Sequence, residues 1–290
     1  MNSRKIALLA PSCVLMGLLT LAYVILFVSS TSTMAPGTLS FGAPYDFSNY
    51  ARFADDAILK GVVVYTIVYS IFVTAAVLLL AFPFCYAIVR IRRKWLRSLF
   101  LFVLVVTFFS GTITRAYSWL IVLGKRGPFN DLMLQLGLID QPLSLIYNTT
   151  GVTIALLHYL FPYGAFVLIG TLKNLPEIYE EAAQDLGAGR LYTFIRVIIP
   201  QSLGGLGSAW ILVYSLSLST FVMPLLLGGG KVVLLSNAVY REVELNYDIP
   251  YAAAVAIIFV LASILTISLA YLLGKVVPRV LANRALASRA

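Results

Sequence analysis

Six apolar runs, each longer than 20 residues, recur along this chain at about 6–29, 61–89, 99–123, 151–172, 206–227 and 251–274. A bilayer core about 30 Å thick needs about 20 apolar residues in helical form. Only helices or closed barrels satisfy every backbone polar group in that medium. Composition agrees, with 60% hydrophobic residues, 11% charged residues and a mean hydropathy of +0.93, far from the soluble globular range. The pattern predicts an all-α polytopic membrane protein with six transmembrane helices in one transmembrane domain and no separate soluble domain.

Charge orients the runs. Arg4 and Lys5 precede the first one. A signal peptide is the competing reading there, with Ala35 as the cleavage region, but the run is too long for an h-region and reads as a retained helix. Residues 31–60, with Pro36, Gly37, Gly42 and Pro44, read as an external loop, and the second helix is expected to bend near Pro83. The segment from Arg90 to Arg97 is basic, carries Trp95 and marks the inside. Residues 124–150 are external, with turns at Gly127-Pro128 and Asn130-Asp131, as is the loop opened by Gly228, Gly229 and Gly230 after Pro224. Of 21 Lys and Arg residues, 14 fall inside, 6 outside, and Arg115 alone within a span. That bias places both termini and residues 173–203 in the cytoplasm. It also accounts for the net charge of +9 without invoking nucleic acid.

No catalytic constellation is visible. All 12 Asp and Glu residues lie outside the six runs. Cys13 and Cys85 sit in apolar segments as free thiols, and His158 lacks companion ligands for a metal, so it reads as a packed or hydrogen-bonded residue. No glycine-rich phosphate loop is present, so ATP, if it drives this protein, binds another chain. A secondary transporter would need mid-membrane ion ligands and inverted repeats, and a membrane enzyme would need a polar cluster at a helix end. Neither pattern is found.

The polar stretch 173–203 carries the most information. Pro176 suits a first helical turn, and Glu177, Glu180 and Glu181 suit the positive end of a helix dipole. Tyr179, Ala182, Ala183 and Leu186 follow i, i+3, i+4, i+7 spacing on one face, small in its middle. Gly187 is a helix stop. A second short helix from Arg190 carries the stripe Leu191, Phe194, Ile195 and Ile198, and Pro200 ends it. The result is a helix–turn–helix elbow. Glu181-Ala182-Ala183, Gly187, Val197, Ile199 and Pro200 fall at the spacing of the EAA signature, and the stretch resembles that of ABC-importer permeases. The resemblance implies the type I importer permease fold in the bacterial inner membrane. It makes the elbow a coupling helix seated in a cytoplasmic ATPase, with Tyr179, Glu181, Ala182, Ala183, Leu186, Gly187 and Pro200 as the coupling residues. It also implies a second permease subunit, a paralogue, together with two ATPase subunits that carry ATP and Mg, an external substrate-binding protein and surrounding lipid. No cofactor is expected on this chain.

Arg115-Ala116-Tyr117-Ser118-Trp119, then Gly127, Asn130 and Leu136-Gly137-Leu138, are similar to the spermidine/putrescine branch of these permeases. Leu225 to Gly229 and the Asp185-Leu186-Gly187-Ala188 form of the elbow add to the likeness. Permeases for phosphonate, iron, sulfate or thiamine share parts of these motifs and are the alternatives. Arg115, Tyr117, Trp119, Tyr159, Tyr163, Trp210, Tyr214 and Phe221 are the candidate substrate-pathway residues, because aromatic faces attract amines. Arg115 itself is a poor neighbour for a polycation. Its position is open between a cavity and the outer surface.

Overall fold

A computed structural model describes residues 3–34 and 41–287, with side-chain surroundings for 11–34 and 41–272. Ala35, Pro36 and the side chains of Arg4, Lys5 and the basic tail after Gly274 lie outside what is described. The chain divides into two compact units, residues 1–64 with 235–262 and residues 65–234 with 263–290.

The first unit holds α1 (Ser3–Thr31), a two-stranded antiparallel hairpin of β1 (Ser32–Met34) and β2 (Phe41–Tyr45), and α2 (Ser48–Asp55). It also takes the start of α3 (Ala57–Arg90). The stretch expected to be plain loop, 31–60, is thus partly ordered as strands and helix. Asn49 explains why, since its side-chain amide donates to the carbonyls of Ser30 (2.9 Å) and Ser32 (3.0 Å). Asp56 caps α3 by accepting from the Leu59 amide at 2.9 Å, as an N-cap carboxylate should.

The second unit runs through the rest of α3, α4 (Lys94–Phe109), α5 (Thr112–Val122), α6 (Pro128–Gln135) and α7 (Thr149–Lys173). Next come α8 (Ile178–Asp185), α9 (Arg190–Thr193), a π-helical turn (Phe194–Ile198) and α10 (Ile199–Gln201). Then follow α11 (Leu203–Leu218) and α12 (Val222–Leu227). α13 (Leu235–Glu244) and the start of α14 (Ile249–Ala287) return to the first unit. There Asp248 caps α14 through the Tyr251 amide (3.1 Å) and pairs with Arg52 at 2.6 Å.

α7 is the hub of the second unit. It is apolar all round, and a helix of that kind is buried on several sides. Val152, Ala155, Leu156, Leu160 and Leu168 are fully buried along it. α11, α12, α4 and α5 all pack on α7. α11 packs tightly on it where Gly205 meets Thr171, because a Cβ at 205 would overlap the Thr171 side chain. Small residues are what let membrane helices approach this closely.

Among the described residues, four helices are long and apolar enough to cross a membrane, at Pro11–Thr31, Ala57–Arg90, Thr149–Lys173 and Ile249–Leu272, and the number reaches six if each of two bent pairs is one span. Two expected continuous helices are corrected, one by the first of these bends and one by a separate break. The run 99–123 breaks at Ser110–Gly111 into α4 and α5, whose axes differ by 104°. Both residues there are extended (ψ 129° and 142°), and glycine–serine pairs are common at kinks. The run 206–227 divides into α11 and α12, separated by residues 219–221. Pro83 and Pro162, by contrast, sit inside unbroken α3 and α7.

Candidate functional site

The elbow starts two residues after Pro176, at Ile178, with Glu180 and Glu181 in its first turn. It ends in a paired glycine cap, in which the Gly187 amide donates to the Gln184 carbonyl (2.8 Å) and the Ala188 amide to that of Ala183 (2.9 Å). Gly187 has φ +83°, in open space, so glycine is needed there for its backbone freedom alone. Tyr179, Glu181, Ala182 and Leu186 are exposed and Ala183 is partly covered. Leu186 belongs to the cap rather than to the helix face and is 90% exposed.

The second stripe does not stay together. Ile198 is buried and Phe194 is half-buried, whereas Leu191 and Ile195 face outward. Pro200 supplies the reason. It has no N–H, and its ring crowds the carbonyl four residues back, at Arg196. The turn Phe194–Ile198 widens into π geometry around that point, which redistributes side chains around the axis. Nor does Pro200 stop the helix. The chain continues to Gln201 and turns by 70° into α11.

What holds the elbow was not read from the sequence. Tyr86 and Arg90, one turn apart at the end of α3, both engage Glu180. The Tyr86 hydroxyl donates to Glu180 Oε2 at 2.7 Å, and Arg90 donates to Oε1 from Nε (2.7 Å) and Nη2 (2.5 Å). Nη2 also reaches the Leu175 carbonyl at 3.3 Å, and Nη1 approaches Glu177 at 3.5 Å. Phe194, from the return segment, lies 5.0 Å from the Tyr86 ring and 5.5 Å from that of Phe82. A tyrosine and an arginine one turn apart, with glutamates three apart elsewhere, was the available signal. It does not name the pairing.

The pathway candidates fall into separate groups. Arg115, Trp119, Tyr159 and Tyr163 come together. Arg115 is 4% exposed, and Nη2 donates to the carbonyls of Thr107 and Ser110, the latter at 2.9 Å. Nη1 reaches the Tyr159 carbonyl at 3.3 Å, and the guanidinium lies 5.2 Å above the Tyr159 ring. Arg115 therefore caps the carbonyl end of α4 at the bend, where helix carbonyls lack intrahelical donors. Trp119 donates to His158 Nδ1 at 3.2 Å. Trp210 and Tyr214 instead line a cavity of about 750 Å3 with Ile67, Ile71, Thr266 and Tyr271. Tyr117 is exposed, and Phe221 stands at the break before α12.

Residues 47–281 match the family described as binding-protein-dependent transport system inner membrane component. The spermidine/putrescine transport system permease protein PotB of Escherichia coli strain K12 is 31% identical over 233 residues, 80% of this chain and 84% of that protein. The protein of the same name from Haemophilus influenzae is 30% identical over 71% of this chain and 72% of its own length. The inner membrane ABC transporter permease protein YdcU of Escherichia coli is 27% identical over 72% of this chain and 68% of its own. In fold, the chain is similar to a crystal structure of a bacterial alginate ABC transporter in complex with alginate pentasaccharide-bound periplasmic protein. The TM-score is 0.75, at 15% identity and 94% coverage of both chains. The six-span pattern, the elbow and these likenesses converge, and the chain belongs to the binding-protein-dependent transport system inner membrane components, as a permease subunit of an ABC importer with the type I fold.

Proposed function

We propose that this permease imports polyamines such as spermidine and putrescine, and that residues 173–203 couple it to a cytoplasmic ATPase. The observation that carries the coupling is the elbow's outward side. Tyr179, Leu186, Leu191 and Tyr192 are exposed there on a segment with a strongly polar first turn, and an apolar patch of this kind marks a protein contact. Ala182 at the centre leaves room for another backbone. The relatives named for spermidine and putrescine support the substrate class.

In this reading the working assembly holds this chain, a paralogous permease subunit, two ATPases with ATP and Mg, and an external binding protein. ATP binding draws the ATPases together. Glu181, Ala182, Ala183 and Gly187 carry that motion to the membrane, and the permease pair opens outward to receive substrate. Hydrolysis reverses the change and releases substrate inward. The pathway candidates divide their roles, with Trp210 and Tyr214 lining a cavity while the Arg115 Nη atoms bind backbone carbonyls.

The test is uptake of labelled spermidine and putrescine by cells lacking their own polyamine import and expressing the complete system. Parental uptake, with at least a tenfold loss for Ala182→Asp at normal expression, is the expected result. Absence of uptake from an assembled complex removes the polyamine reading. Normal uptake by Ala182→Asp removes the coupling one.

A further inference from the structure

We infer that Phe82, Tyr86 and Arg90 form a grip by which α3 and the elbow move as one rigid lever, with Arg90 and Glu180 as the positioning pair. The inference rests on the coupling reading above and adds the route by which motion leaves the elbow.

Three observations carry it. First, the residues lie at i, i+4 and i+8, so one stripe of α3 meets the elbow over two turns. Second, that stripe holds both arms. Tyr86 and Arg90 take the acidic first turn of α8 through Glu180, and Phe82 and Tyr86 take the return segment through Phe194. Third, the contact is sheltered and fully used. The Glu180 and Arg90 side chains are 12% and 18% exposed, and both Glu180 oxygens accept from α3. A charge pair sheltered from water and fixed by several donors resists slipping far better than a surface pair. Meanwhile Glu181, next in sequence, is exposed. The two adjacent glutamates therefore point to different tasks, Glu180 inward to the lever and Glu181 outward to the partner. α3 is 34 residues long, so a displacement at its elbow end is delivered through a single helix across the bilayer.

The test uses the complete transporter in proteoliposomes with its loaded binding protein, and reads substrate moved per ATP hydrolysed. Arg90→Gln and Glu180→Gln are expected to keep the ATPase bound and hydrolysing while that ratio falls at least fivefold. Arg90→Lys should fall less, since it keeps the charge and loses the fork. The decisive arm is Arg90→Cys with Glu180→Cys, in a background with Cys13 and Cys85 replaced. Its ratio should be low with free thiols and recover when a short bifunctional thiol reagent ties α3 to the elbow. Unchanged ratios in both Gln variants, loss of ATPase binding in them, or a ratio that the tether leaves low would each overturn the lever. Ala182→Asp run alongside separates the two ideas. If it transports normally, the coupling reading fails. If it is uncoupled while the Gln variants transport normally, only the lever fails.

Discussion

At the residue scale, Arg115 changes meaning once its surroundings are known. From sequence it is a charge inside a span and a natural candidate for a gate. In the structure its Nη1 and Nη2 atoms donate to the carbonyls of Thr107, Ser110 and Tyr159, while its buried Nε has no partner among the described residues. Arg115→Gln should therefore lower stability by about 2–3 kcal/mol, through orphaned carbonyls and lost charge-assisted bonds. The expected readout is an earlier thermal unfolding midpoint in detergent, with substrate affinity of the folded fraction unchanged. A selective loss of affinity at an unchanged midpoint would return Arg115 to the pathway. Gly187 was legible from the start, because a helix stop is a local property of sequence. Its environment adds that nothing lies within 4 Å of an added Cβ. Gly187→Ala should then cost only the left-handed backbone penalty, about 1–2 kcal/mol, and Gly187→Asn less. An equal shift for both variants in the same unfolding assay would contradict that account. Arg115 could not be resolved in the same way, because its partners depend on a bend that hydropathy does not encode.

At the element scale, the existence of the helices was legible and their breaks were not. Apolar runs report the solvent, and a bilayer accepts a bent pair as readily as a straight rod when the freed carbonyls find donors. α4 and α5 satisfy that condition through Arg115. The α7–α11 contact is demanding, since Gly205 faces the Thr171 side chain with no space for a Cβ. Gly205→Val should push the two helices apart at a cost of at least ~2 kcal/mol, whereas Gly207→Ala, with nothing within 4 Å, should be nearly silent. Comparable midpoints for the two variants would show that the contact yields. The elbow's second arm is the converse lesson. Its stripe was legible as an α-helical pattern, and Pro200 converted part of it to π geometry. Deleting one residue from 194–198 should restore α-helical turns there and rotate Leu191 by about 100° relative to α11, with ATPase recruitment as the readout.

At the scale of the whole molecule, the distribution of charge carries the furthest consequence. All 12 carboxylates stand outside the six apolar segments, and the one cation within them, Arg115, is occupied by backbone carbonyls. Across its membrane thickness this subunit therefore offers an amine aromatic faces, hydroxyls and carbonyls, but no counter-charge. On the proposed reading, discrimination among amines by charge number falls to groups outside these apolar segments, in this chain's own external loops or in its partners. A transporter assembled from two copies of this chain would hold a polycation in those segments by aromatic faces, hydroxyls and carbonyls alone. In the proposed pairing with a paralogue, the counter-charge that the apolar segments of this chain lack can come from the other half.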